Sequence, residues 1–163
     1  MQEVRGGSLF SSGLVATGFW AGLTVGRMTL GFITPKIGER IAVTGYLAIC
    51  IALQLLFWLI PNFTVSAIMV ALEGFFIGPM FPSTIVVAMK LLPARLHVTA
   101  IGFAAAIGGG GAAILPFAIG AIASAKGVQT LQPIVVAFIA ALIIIWMLFP
   151  RVPRAGQRSP PIA

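Results

Sequence analysis

One carboxyl group stands apart in this chain. Glu73, in "ALEGFFIGPMFP", follows a run from Ile41 to Leu72 that carries no charge at all. A charged side chain at the centre of a membrane helix costs at least about 2.5–3.5 kcal/mol on insertion scales. Its ionised form is therefore disfavoured, and the group is poised to take up and release a proton. The competing reading is a protonated, hydrogen-bonded structural glutamate near the outer interface. Arg27, in "GLTVGRMTLGF", is the corresponding cation. It can snorkel to the interface, pair with a carboxylate elsewhere, or line a polar pathway. By helix rise it lies nearer the inner face than Glu73, so a direct pair is not expected and a structural or gating role is.

The other polar candidates carry less. His97 begins an apolar segment beside Arg95 and reads as a solvated interfacial residue. Gln54 reads as a helix-to-helix hydrogen bond, and Trp20, Phe75, Phe76 and Phe81 as packing aromatics. Cys50, the single cysteine, lies in an apolar run and has no intrachain partner for a disulfide. With one histidine and three acids, all Glu, the chain offers no nucleophilic triad. No metal-ligand cluster, phosphate loop or dinucleotide fingerprint is present. No catalytic residue, metal or cofactor is expected, and the chain does not read as an enzyme.

The elements that must position Glu73 and Arg27 follow from composition. Only 8% of the residues are charged and 60% are hydrophobic, with a mean hydropathy of +1.11. Soluble domains carry about 25% charged residues. Long uncharged runs, Ile41–Leu72, Val98–Ala125 and Gly127–Pro150, exceed the roughly 20 residues that a helix needs to cross a bilayer. The fold class is an all-α, polytopic membrane helix bundle, with the lipid bilayer as its first partner. The net charge of +7 does not signal nucleic acid, because the ten Lys and Arg residues punctuate the ends of apolar segments.

Five spans are expected, at about 8–34, 41–60, 65–92, 97–124 and 133–149. Segment 1–7 precedes them, and a basic, proline-rich tail, 150–163, follows. Lys36, Arg40, Lys90, Arg95, Arg151, Arg154 and Arg158 fall on one side and only Arg5 and Lys126 on the other. By the positive-inside rule the N-terminus is extracytoplasmic and the tail cytoplasmic, with the plasma membrane the favoured location. The sequon at Asn62–Thr64 then faces outward, too close to the bilayer to be glycosylated.

Glycine content ranks the helices. Gly18, Gly22 and Gly26 in the first span and Gly74 and Gly78 in the third recur at four-residue spacing, as do Gly102, Ala106 and Gly110 in the fourth. Such faces let backbones approach closely in lipid. The first, third and fourth helices are expected inside the bundle, and the bulky second and fifth outside. Pro79 and Pro82 should interrupt the third helix, and Gly108–Gly111 (Gly109 and Gly110 at its centre) with Pro116 the fourth. Broken helices of this kind are found near transporter sites and moving parts.

The stretch "GFITPKIGER" resembles the signature loop of the major facilitator superfamily, of approximate pattern G-x-L-A-D-R-x-G-R-K. Gly31, Ile33, Lys36, Gly38 and Arg40 sit at matching positions, while Pro35 replaces the acid and Glu39 a basic residue. These departures suit the weaker copy of the loop, between the eighth and ninth helices of such transporters. "GPMFP" and the glycine-rich fourth span look like the tenth and eleventh helices, and the whole stretch is similar to fucose permease-like members. The resemblance implies secondary transport of a small organic solute, a sugar or metabolite, through proton symport. It places Glu73 and Arg27 on the proton or substrate pathway and the Gly31–Arg40 loop in gating. It further implies a C-terminal piece, helices eight to twelve, that a missing N-terminal half or a partner membrane subunit would complete. The alternative is a non-transporting scaffold that docks through its glycine-lined faces.

Overall fold

The computed structural model describes residues 9–150. Segment 1–7 and, apart from Pro150, the tail 150–163 lie outside the described residues. Those described are almost all helical, with no strand among them. Six α-helices follow one another: α1 (Leu9–Ile37), α2 (Glu39–Leu59), α3 (Phe63–Ile77), α4 (Met80–Leu91), α5 (His97–Lys126) and α6 (Leu131–Leu148). Short 3-10 turns, Ala94–Leu96 and Val128–Thr130, lead into α5 and α6.

Four stretches among the described residues are long and apolar enough to cross a membrane: Glu39–Leu59, Phe63–Leu91, Ala94–Lys126 and Val128–Leu148. The second of these joins α3 and α4. Helix α1, with 29 residues, is also longer than a bilayer crossing requires. The connection between α1 and α2 is shorter than the sequence suggested. Helix α1 continues through Pro35 to Ile37, and only Gly38 is non-helical before Glu39 opens α2. Gly38 can make this one-residue corner because its φ is 102°, a region that favours glycine.

Packing centres on α2 and α3. Helices α1 and α3 lie backbone against backbone, and α2 packs on α3 from one side and on α6 from the other. A Cβ at Gly22 would overlap the Ala71 carbonyl, one at Gly26 the Phe75 carbonyl and one at Gly74 the Phe19 carbonyl. The glycine hydrogens therefore point at those oxygens as weak Cα–H···O donors. On the other side, Val43, Leu47 and Cys50 of α2 form an apolar core with Val87 of α4 and Ile139 and Trp146 of α6.

Two expectations are corrected here. The bulky α2 is the best-buried helix of the chain, with eight buried residues, and the glycine-rich α5 buries none. A Cβ at Gly102, at Gly120 or at any position of Gly108–Gly111 would meet nothing within 4 Å. Glycine spacing marks a face that another backbone can approach; whether this chain supplies that backbone is a separate matter. Helix α5 is also unbroken through Gly109, Gly110 and Pro116. Each glycine retains its N–H, and Pro116 withdraws only its own. Releasing more backbone groups in lipid would cost several kcal/mol each, so the helical ladder persists.

The Gly38 end of the bundle is clamped. The Arg40 guanidinium donates to the Met147 carbonyl at the end of α6 (2.6 Å), and the Trp146 indole N–H donates back to the Arg40 carbonyl (3.3 Å). A cation there also complements the negative end of the α6 dipole. Glu39 pairs with Lys90 in the last turn of α4, while the Thr34 and Tyr46 hydroxyls of α1 and α2 meet at 3.3 Å.

Three outcomes are expected in detergent unfolding of the purified chain. Gly26→Ala forces the α1–α3 contact apart and costs about 1–3 kcal/mol or more, whereas Gly110→Ala gains about 0.5–1 kcal/mol from helix propensity alone. Trp146→Phe keeps most of the ring volume but loses the bond to Arg40, and costs about 0.5–1.5 kcal/mol.

Candidate functional site

The two sides of α3 carry different chemistry. Gly74 and Gly78 face α1, while Glu73, 8% exposed, faces α2. In α2, Val43, Leu47, Cys50 and Gln54 are all buried and, at 100° per residue, form one stripe. That stripe presents Gln54 to Glu73. The facing end of the Gln54 amide lies 2.9 Å from Glu73 Oε1 and 3.3 Å from Oε2. Its other end meets the Gln132 side-chain amide of α6 at 2.7 Å. Glu73, Gln54 and Gln132 thus form a hydrogen-bonded line across three helices, inside an apolar shell. The Cys50 thiol points at the Glu73 main-chain carbonyl, 4.0 Å away.

Arg27 belongs to a different arrangement. It is an exposed residue of α1, and its Nε donates to the Gly78 carbonyl (3.2 Å). In an unbroken helix that carbonyl would accept from the N–H of residue 82, but Pro82 has none. Pro79 likewise cannot serve the Phe75 carbonyl, which is the oxygen that Gly26 approaches. The helix divides at Gly78–Pro79, and α1 supplies substitute donors for both orphaned oxygens. Pro79 is fully buried and Pro82 exposed in the first turn of α4. Glu73 and Arg27 are not brought together. Among the described residues Glu39 and Lys90 form an ion pair, at the opposite end of the bundle from Glu73.

The remaining candidates scatter. Gly31 sits in open space on α1, Lys36 is exposed, and Gly38, Glu39 and Arg40 form the clamp between α1, α2, α4 and α6. His97 is held by the Leu92 carbonyl at 2.9 Å. Trp20 and Phe81 are more than half exposed, while Phe75 and Phe76 stack edge to face, so the four line no common cavity. An apolar cleft of about 370 Å³ between α1 and α3 is lined by Leu14, Gly18, Thr64, Ile68 and Ala71, with no charged side chain. By helical register it lies across α3 from Glu73. Asn62 is engaged as the N-cap of α3, accepting from the Val65 N–H at 3.2 Å. No group of three or more His, Cys, Asp or Glu that could hold a metal occurs among the described residues.

Sequence reasoning placed Gln54 in a helix contact but passed over Gln132, which it assigned to a joint. Helix α6 begins at Leu131, so Gln132 falls in its first turn and turns toward α2. The available signal was a polar residue two places into the last apolar run, next to Pro133.

Comparison with known proteins gives the chain its relatives. The Major Facilitator Superfamily matches residues 1–163, the whole sequence. Among curated proteins, "Bypass of stop codon protein 6" from Saccharomyces cerevisiae is 35% identical over 159 residues, which cover 91% of this chain and 32% of that protein. The chain therefore spans about a third of that relative's length. No solved structure matches. With its apolar helices, its signature-like turn at Gly38 and a family match from end to end, the chain belongs to the major facilitator superfamily of membrane transporters.

Proposed function

We propose that this chain is part of a proton-coupled secondary transporter for a small organic solute, a sugar or metabolite, and that Glu73 is its proton-binding group. Similarity over a third of a longer relative supports reading it as a piece of a larger transporter. The signature-like turn at Gly31–Arg40 supports the C-terminal half, in the manner of fucose permease-like members. The distribution of Lys and Arg supports a cytoplasmic C-terminus, and the plasma membrane remains the favoured site.

The observation that carries the proton role is the burial of Glu73 against an uncharged partner. A carboxyl group 8% exposed between helices leaves no room for a solute to touch it. A proton needs only a partner that can bond either form of the carboxyl group, and the Gln54 amide, with a donor and an acceptor end, is one. Arg27, bonded to the carbonyl at the break between α3 and α4, acts in this reading on helix geometry rather than on solute. With Gly38 at the corner and Lys36 at the surface, the clamp of Glu39 and Arg40 holds the opposite end during the cycle.

The second reading is a scaffold that docks another membrane subunit. It is favoured by the bare glycine face of α5, which a helix of the missing half or of a partner could equally cover.

Vesicles containing the intact transporter, loaded with a pH-sensitive dye, separate the two readings. A panel of small sugars and metabolites is added outside. The transporter reading expects solute-dependent proton movement that falls to background in Glu73→Gln, while solute exchange at equilibrium persists. A scaffold gives no solute-dependent signal in either protein.

A further inference from the structure

We infer that Gln54 and Gln132 form a reversible amide relay that turns over as a unit when Glu73 gains or loses its proton, carrying the protonation state from α3 through α2 to α6. The inference rests on the proton-binding role of Glu73.

The argument begins with the donor inventory. An ionised carboxylate only accepts hydrogen bonds, while a protonated one also donates. A glutamine amide has a donor end and an acceptor end, and which end is which follows from what each faces. With Glu73 ionised, Gln54 must turn its nitrogen toward the carboxylate, at 2.9 and 3.3 Å. Its oxygen then faces Gln132 at 2.7 Å, and Gln132 must present its own nitrogen. With Glu73 protonated, its O–H donates to the Gln54 oxygen. Gln54 now donates through its nitrogen to the Gln132 oxygen across the same 2.7 Å gap. Each state satisfies every contact along the line, and each is the other with both amides rotated by half a turn. The proton comes from water and returns to it; no covalent bond of either glutamine changes.

A mixed state is costly. If Glu73 loses its proton while the Gln54 oxygen still faces it, two acceptors meet in a buried site; if it gains one while the nitrogen faces it, the new O–H finds no acceptor in the line. An unsatisfied buried polar group costs roughly 1–3 kcal/mol. Gln54 is 4% exposed, so water cannot repair the mismatch there. Gln132 is only half-buried, so its far end can be hydrated in either orientation. The line is thus obligatory in its interior and free at its α6 terminus, which lets it turn over.

No charge overrides this logic. Helix α6 has no charged residue. In α2 the charged residues, Glu39 and Arg40, are at the opposite end in the clamp. In α1, Arg27 is engaged at Gly78 and Lys36 is exposed beyond it. The titratable neighbour is the Cys50 thiol, directed at the Glu73 main chain rather than its carboxyl.

Infrared difference spectroscopy on the lipid-reconstituted protein tests the relay. Glutamines are labelled at the side-chain amide, and spectra are compared between acid and alkaline pH. The carboxyl band of Glu73 is assigned by its loss in Glu73→Gln. The relay expects labelled amide bands that change with the same midpoint as the carboxyl band. Gln132→Met should remove about half of that amide response, with one of the two amides gone. Gln54→Met should remove all of it, although Gln132 remains, while the carboxyl band still titrates. Neither loss is expected if the glutamines merely hold helices together. Should a variant fail to fold, co-titration in the labelled unsubstituted protein decides alone. Amide bands that stay still while the Glu73 carboxyl titrates overturn the relay and leave the proton-binding role intact. A Glu73 carboxyl that never titrates overturns both.

Discussion

In the hydrocarbon of a bilayer no water stands ready to pair a released backbone group, so every N–H and C=O must find its partner within protein. Much of this chain follows from that demand. Two prolines in the third membrane segment leave the Phe75 and Gly78 carbonyls without their helical donors. Helix α1 answers both, with Arg27 on Gly78 and the bare Cα of Gly26 against Phe75. The glycine ladder of α1 is therefore more than a means of close packing. It brings a donor-bearing surface to the place where α3 cannot pair itself.

The same demand applied to side chains explains the other face of α3. Glu73 is buried where no cation of the described residues reaches it, and its partner is an amide that can donate or accept. A fixed cation would favour the ionised carboxylate alone; an amide can serve both states with equal geometry. Gln54 in turn needs a partner that can reverse with it, which Gln132 provides at the start of α6. The apolar core of Val43, Leu47, Cys50 and Ile139 keeps water from short-circuiting the line.

How much of this was legible in the sequence depends on the kind of signal. The class was plain, since uncharged runs of helical length admit few other homes. The close α1–α3 contact could be read from Gly22, Gly26, Gly74 and Gly78, because four-residue spacing maps directly onto one helix face. The placement of α2 and α5 could not. Bulky residues suit lipid and helix cores equally, and a glycine face says only that something can approach it. Pro116 misled in a similar way: a proline removes one hydrogen bond, and a helix of 30 residues tolerates that loss. The Glu73–Gln54–Gln132 line was half visible. Glu73 and Gln54 stood out against apolar surroundings, but Gln132 hid at a helix boundary, where sequence reading is weakest.

The break at Gly78–Pro79 then acquires a mechanical meaning. On one side of it α3 is held by α1 and by the hydrogen-bonded line from Glu73 through Gln54 to Gln132. On the other, α4 is tied to α2 through Glu39 and Lys90 at its far end. Any motion of α4 relative to α3 must pivot at residues 78 and 79, where Arg27 bridges α1 to the last carbonyl of the upper segment. Glu73 lies five residues before that pivot, on the same rigid piece. A change in how Glu73 is bonded to α2 would alter the seating of α3 itself and leave the flexible joint untouched. Glu73 and the break at Gly78–Pro79 are therefore mechanically in series, and α3 is the rod between them.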